Sequence, residues 1–203
     1  MIIAGVDGAT RTGFAVIEGP RLLHWESHRP KGDTDAEIFR NFRVWLRAGL
    51  VAYAVEAAAY EEPLRTDLSI MKDVEGDQSG FDGIKSHGRV KAPVGTMRTF
   101  LRLYGIRAHA IEIFESLNLI YDEIHNRTWR SGIYGKCSPP KGTANTSEWW
   151  KKKAIDHCSK VMKWEVSSKD AAEAALIAEF YRCQLNPRLA QANDLFTSQG
   201  TAI

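Results

Sequence analysis

Asp7 closes a short apolar run, Ile2-Ile3-Ala4-Gly5-Val6-Asp7, and the small polar turn Gly8-Ala9-Thr10 follows it. A lone carboxylate at the end of a buried strand is destabilising by several kcal/mol unless it is paired or binds a metal. The small turn leaves room at the sheet rim for a metal ion or a phosphate. Two more acids, Asp170 and Glu173, stand in Ser168-Lys169-Asp170-Ala171-Ala172-Glu173-Ala174-Ala175. Their spacing puts them on one helix face. Acids in a first turn also suit the helix dipole, but the alanines around them would let this end of the helix lie close to a sheet. Surface acids need no such neighbours. Glu61 ends the run Ala57-Ala58-Ala59-Tyr60-Glu61, shortly before Pro63. Glu56 is its rival at the other end. The two are separated by an odd number of positions, so a regular strand points them to opposite faces and only one of them can join Asp7. Lys169 could approach water or a phosphate, yet it reads first as a solvated residue at a helix start. Asp7 alone suits a kinase, a nuclease or a simple turn.

The elements around these acids decide whether they can meet. Runs over 2–7, 13–18 and 21–27, with Gly19-Pro20 between the last two, predict three antiparallel strands. Ile38, Phe39, Phe42, Trp45, Leu46 and Leu50 recur at helical spacing, behind an N-cap at Asp33 or Thr34. A strand over 57–61 stops at Pro63. Residues 64–95 are glycine-rich, polar and poorly periodic, which predicts a long functional or mobile loop. A helix over about 95–117, a strand over about 119–126 and a second loop holding Gly132, Gly135, Pro139, Pro140 and Gly142 follow. Thr146 or Ser147 caps a helix reaching about 162, and Ser167 or Ser168 caps the last helix, about 169–184. The order β-β-β-α-β-α-β-α-α predicts an α/β fold, a mixed sheet flanked by helices. One domain is expected over 1–186, with a polar, flexible tail over 187–203.

A chain of 203 residues, 44% of them hydrophobic, supports one domain with a real core. The formal net charge of +2 does not by itself point to nucleic acid. Its distribution does. Gly83 to Ile111 holds Lys85, Arg89, Lys91, Arg98, Arg102 and Arg107 and no Asp or Glu, the footprint expected of phosphate contact. Phe81 lies just before it and could wedge between bases. A second basic set is Arg127, Arg130, Lys136, Lys141 and Lys151-Lys152-Lys153. Trp149-Trp150 reads as core or dimer contact before base stacking. Met97, Phe100, Leu101 and Tyr104 form a helical stripe that suits core or a dimer interface. Cys137, Cys158 and Cys183 form no CxxC pair, so neither a disulfide framework nor a zinc site is expected. No apolar run reaches transmembrane length and no secretory signal is visible, so a cytoplasmic location is expected.

An Asp in Gly5-Val6-Asp7-Gly8, an acid ending the fourth strand, and Asp170-x-x-Glu173 opening the last helix form an ordered set. That set resembles the RNase H-like superfamily and, within it, the RuvC-type Holliday-junction resolvases, particularly their virus-encoded branch. Tyr60-Glu61-Glu62-Pro63-Leu64 and Trp129-Arg130 are also similar to segments of the viral members. The resemblance spans roughly residues 2–185 in element order, its motifs about 30 of them. Glu173 stands where those enzymes carry Asp, which keeps the charge and lengthens the arm. The resemblance implies an RNase H-like five-stranded mixed sheet, three antiparallel strands then parallel ones. It implies a Mg²⁺-dependent endonuclease acting as a homodimer on four-way DNA junctions, in the host-cell cytoplasm if the chain is virus-encoded. Asp7 would bridge two Mg²⁺ ions, Glu61 would hold one, and Asp170 with Glu173 would hold the other or position the water. Mn²⁺ is expected to substitute. Two such ions about 3.5–4 Å apart assist in-line phosphodiester hydrolysis, and Mg²⁺ takes hard oxygen ligands of this kind. Two rivals remain: an actin-like or sugar-kinase-like ATPase, which also begins with a hairpin carrying an Asp, and a non-catalytic nucleic-acid-binding module of the same fold.

Overall fold

A computed structural model describes residues 1–63, 71–79, 85–93 and 97–186, with the backbone alone described over 71–79 and 85–93. The elements run β1 (Ile2–Asp7), β2 (Thr12–Glu18), β3 (Arg21–His28), α1 (Asp35–Ala52) and β4 (Ala57–Glu61). Then come β5 (Met71–Ser79), β6 (Lys85–Pro93), α2 (Met97–Ser116), β7 (Ile120–Ile124), α3 (Asn126–Tyr134), α4 (Thr146–His157) and α5 (Lys169–Leu185). The main sheet has the order β3-β2-β1-β4-β7. β1, β2 and β3 pair antiparallel, while β4 joins β1, and β7 joins β4, in parallel. This is the five-stranded mixed sheet flanked by helices that the element order implies.

Strand periodicity sorts the core into two layers. Ile3, Ala15, Ile17, Ala57 and Ala59 face α3, α4 and α5, meeting Trp129, Ala154 and the alanines of α5. Ala4, Val6, Phe14, Val16, Ala58 and Tyr60 face the other way, onto Phe42, Leu46 and Leu50 of α1 and Ile106, Ala110, Ile113 and Phe114 of α2. Helix α5 lies almost in contact with the sheet backbone. A Cβ on Gly5 would stand 2.0 Å from the Ala174 carbonyl oxygen, and one on Gly13 2.0 Å from the Asp170 carbonyl oxygen. Ala171, Ala172, Ala174, Ala175 and Ala178 are all fully buried there. The small residues around Asp170 and Glu173 therefore serve close helix–sheet approach.

The caps follow local chemistry. Thr34 caps α1 in a full capping box with Glu37, and the Ser168 hydroxyl accepts from Ala171 N–H at the start of α5. Asn145, not Thr146 or Ser147, caps α4: its side-chain oxygen accepts from Glu148 N–H at 3.0 Å. That helix ends at His157 and passes into a π-helical turn, Cys158–Met162.

Beyond these α4 boundaries, two segments differ from expectation. The segment read as a long loop over 64–95 contains an antiparallel hairpin, with Met71 opposite Pro93 and Ser79 opposite Lys85. The five positions between its strands include Gly80 and Gly83 and lie outside the described residues. The alternation that would mark its strands is weak, because Gly76 and Gly88 interrupt it. The second is α3, which begins where a loop was expected. Gly132 sits inside this helix, not in a turn. A Cβ there would stand 2.2 Å from the Phe180 ring, so the glycine lets α3 lie against α5. Among the described residues, no helix is long and apolar enough to cross a membrane. The tail over 187–203 lies outside the described residues.

Candidate active site

The alternation that builds the core also aims the acids. Odd-numbered positions of β1 and β4 face α5, so Asp7 and Glu61 face it too. The two strands run parallel with Ile3 opposite Ala57 and Val6 opposite Tyr60. One further step places Asp7 beside Glu61 at the carboxyl ends of both strands. Asp170 and Glu173 come from the first turn of α5, across that same face. Three of the four are deeply buried: Asp7 is 7%, Asp170 8% and Glu173 3% exposed. Carboxylates so placed need partners.

The partners are specific. Lys151 Nζ on α4 donates to Asp170 Oδ1 at 2.5 Å, and Ser27 Oγ on β3 donates to Asp170 Oδ2 at 3.3 Å. Arg130 on α3 donates to Glu173 Oε1 at 2.8 Å. Its neighbour Trp129, fully buried, donates its indole N–H to Glu61 Oε2 at 2.8 Å. Asp7 has the least help. Burial and the charges of Glu61, Glu173 and Asp170 push its pKa well above the usual carboxylate range, against the pull of Lys151. Burial, with the charge of Glu173 next, lifts Glu61 to about 7, although Arg130, the Trp129 N–H and Lys151 oppose it. Burial also raises Glu173, with Arg130 and Lys151 working the other way. Four acids that repel one another in a partly dry site are a cation-binding arrangement by charge.

Hard carboxylate oxygens fit Mg²⁺ or Mn²⁺ by chemistry. Among the described residues, no three His, Cys, Asp or Glu side chains stand close enough together to hold a metal as they lie. In this arrangement Lys151 and Arg130 engage an oxygen of Asp170 and of Glu173, so the site balances part of its charge with its own cations.

Other expected residues lie elsewhere. Glu56 accepts the Ile2 backbone N–H at 2.7 Å and pairs with the N-terminal amine at 3.5 Å, at the opposite end of β4. Lys169 pairs with Glu148 on an exposed surface, as its solvated reading implies. Arg98 and Arg102 stand on α2, which packs on the sheet face away from α5. Arg98 is exposed, and Arg102 donates to Asp35 Oδ1 through Nε at 3.1 Å and through a terminal nitrogen at 2.5 Å. Phe81 lies outside the described residues, as do the side chains of Lys85, Arg89 and Lys91 on β6. The cations that do adjoin the acids, Arg130 and Lys151, come from the second basic set. Lys151 had a usable signal: Ala154 and Cys158, three and seven positions on, are fully buried, so Lys151 shares the inward face of α4. Trp149 and Trp150, expected as core or dimer contact, are half-buried outside the two core layers; Trp150 stacks on Tyr134 with centroids 5.7 Å apart and lies under Arg130.

Comparison with known proteins yields structural likeness only. No protein-family model matches the chain, and no curated protein matches it in sequence. Among solved structures, the chain has the fold of RuvC-type, RNase H-like junction resolvases. Thermus thermophilus RuvC bound to a Holliday-junction substrate matches with a TM-score of 0.62 and 13% identity, over 91% of this chain and 96% of that one. A second structure of Thermus thermophilus RuvC gives 0.61 and 16%, over 91% and 96%. The yeast mitochondrial Holliday junction resolvase gives 0.51 and 11%, over 94% and 83%.

Two expected outcomes arise directly from the site. Trp129→Phe keeps an aromatic ring in this fully buried position, with some loss of volume, and removes the donor to Glu61. The variant should be less stable by about 1–3 kcal/mol, and Glu61 should titrate above its present value of about 7, readable by carboxyl-carbon NMR. The second concerns pH. Glu61 titrates at about 7 in the fold against an ordinary 4.5. Its contribution to stability is therefore complete below about pH 4.5 and lost as pH rises through about 7. Metal-free protein should melt at falling temperature across that window, and Glu61→Gln should fall less. A melting series in chelator checks both.

Proposed function

We propose that the protein is a Mg²⁺-dependent, structure-selective DNA endonuclease that resolves four-way junctions by paired phosphodiester hydrolysis. The observation that carries this reading is the convergence of Asp7, Glu61, Asp170 and Glu173 at the carboxyl ends of β1 and β4. The likeness of the fold to junction resolvases supports it. Asp7, Glu61, Asp170 and Glu173 would hold the Mg²⁺, with Mn²⁺ able to replace it. When bound, the metal supplies charge stabilisation for the phosphoryl group and a more acidic water.

The chain's own residues do the rest. Trp129 fixes the orientation of Glu61 through its N–H. Arg130 fixes Glu173, held itself between the rings of Trp129 and Trp150 at 5.1 Å from each centroid. Lys151 brings a positive charge to the cluster edge, where the scissile phosphate would arrive. Burial of three of the four acids limits water and strengthens each charge interaction.

A homodimer would place two such sites across one junction. Met97 and Leu101 are 72% and 65% exposed, while α2 enters the core only from Ile106 onward. The exposed turn of α2 is therefore the proposed contact between copies. The basic stretch Lys85 to Arg107 and Phe81 are proposed to meet DNA, Arg102 by exchanging Asp35 for a phosphate. The protein is proposed to act in the cytoplasm of its cell.

The test is a labelled four-way junction incubated with protein and Mg²⁺ and, separately, ATP. Symmetric metal-dependent nicks are expected. ATP turnover without nicks would transfer the chain to the ATPase reading, and binding without nicks to a non-catalytic module.

A further inference from the structure

We propose that Lys151 is a resident counter-ion of the acid cluster which a divalent cation displaces from Asp170, whereas Arg130 stays on Glu173 and keeps it positioned. The proposal rests on the reading of the four acids as a metal centre. The two cations are held in different ways. The Arg130 guanidinium lies over two indole rings, each 5.1 Å from its centroid, while donating to Glu173 at 2.8 Å. One of those rings, Trp129, is fully buried and also bonded to Glu61. Two flat faces and an ion pair fix a planar group in place.

Lys151 has no such enclosure. Its side chain is 29% exposed and reaches Asp170 Oδ1 by one contact at the end of a flexible four-carbon stem. Ser27 serves the other oxygen, Oδ2. The oxygen that Lys151 covers is thus the one most open to exchange. A lone pair engaged by an ammonium at 2.5 Å is not free for a metal. Charge favours the exchange. The cluster carries up to four negative charges against the two positive ones of Lys151 and Arg130. Each incoming divalent ion adds two, and the attraction that holds Lys151 to Asp170 falls. Freed, the ammonium remains tethered beside the site, and a phosphate oxygen becomes its nearest available anion. Lys151 is in this sense a positioning residue that couples metal uptake to phosphate contact.

The test is a Mn²⁺ titration of DNA-free protein by calorimetry, with Lys151 Nζ followed in parallel by NMR of methylated lysines. Wild type should bind Mn²⁺ and Asp7→Asn should lose most of that binding. Lys151→Met should bind Mn²⁺ about fivefold more tightly, since the competing cation is gone, whereas Arg130→Met should not tighten it. In wild type the Lys151 resonance should move to a solvent-like position as Mn²⁺ saturates, with Zn²⁺ or Mg²⁺ used where paramagnetic broadening intervenes. Equal or weaker binding by Lys151→Met, or an unmoved Lys151 at saturation, overturns the proposal. Failure of wild type to bind any divalent ion overturns the metal-centre reading and this proposal with it. Loss of binding in Asp7→Asn with an indifferent Lys151→Met overturns this proposal alone. Should Lys151→Met not fold, the wild-type resonance still decides.

Discussion

Asp7→Asn is expected to abolish Mg²⁺-dependent junction nicking while leaving junction binding intact or tighter. Asp7 is the acid with the fewest partners and the most acidic neighbours: Glu61 stands beside it, and Asp170 and Glu173 approach from α5. An amide there is nearly isosteric, so the fold should survive. It lacks the charge a shared metal ligand must supply. Metal stabilisation of a phosphoryl transition state is worth several kcal/mol, so the rate should fall at least about 10³-fold. Binding should not fall with it, because one negative charge facing the phosphates has gone. Gel analysis of nicks and anisotropy with labelled junction in chelator separate the two effects. Retained nicking would remove Asp7 from the mechanism.

Gly13→Ala should strike stability and the site together. The added methyl would stand 2.0 Å from the Asp170 carbonyl oxygen and 2.9 Å from the Ala171 nitrogen. Both are backbone atoms of the first turn of α5, so no side chain can swing aside. The helix must lift from the sheet. Overpacking of this kind typically costs about 1–3 kcal/mol, occasionally more, and the upper end is expected here. The lift would also carry Asp170 and Glu173 away from Asp7 and Glu61. A denaturant melt should show the lost stability, and a Mn²⁺ titration of the still-folded fraction should show weaker binding. Gly19→Ala is the control, since a Cβ there meets nothing within 4 Å, although its φ of +55° carries some backbone strain.

Much of this was legible because it depends on periodicity. An acid ending an apolar strand, an acid ending a second strand and a pair on an alanine-rich helix turn are patterns of spacing. Parity also separates Glu61 from Glu56, which the structure places at opposite ends of β4. The five-stranded sheet follows from the same patterns. What escaped depends on contacts between distant segments. The β5–β6 hairpin is held by backbone ladders through Gly76 and Gly88, which carry no side-chain signal. α3 was hidden by Gly132, a residue that reads as a turn until Phe180 is seen to need the space. Arg130 and Lys151 could be grouped as basic residues, but only tertiary packing brings them to Glu173 and Asp170. The Arg98 and Arg102 stripe shows the reverse case: a local charge asymmetry was plain, while the face of the sheet it would occupy was not.

In the proposed function, the sheet and α5 bring four carboxylates to one metal centre. A crystal structure of the Mn²⁺-soaked protein tests it most directly, through anomalous scattering. The expected result is a peak bounded by Asp7, Glu61 and the carboxylates of Asp170 or Glu173, with Lys151 turned away from Asp170. A saturated crystal with Mn²⁺ bound elsewhere, or with no peak between the acids and Lys151 still on Asp170, would contradict it.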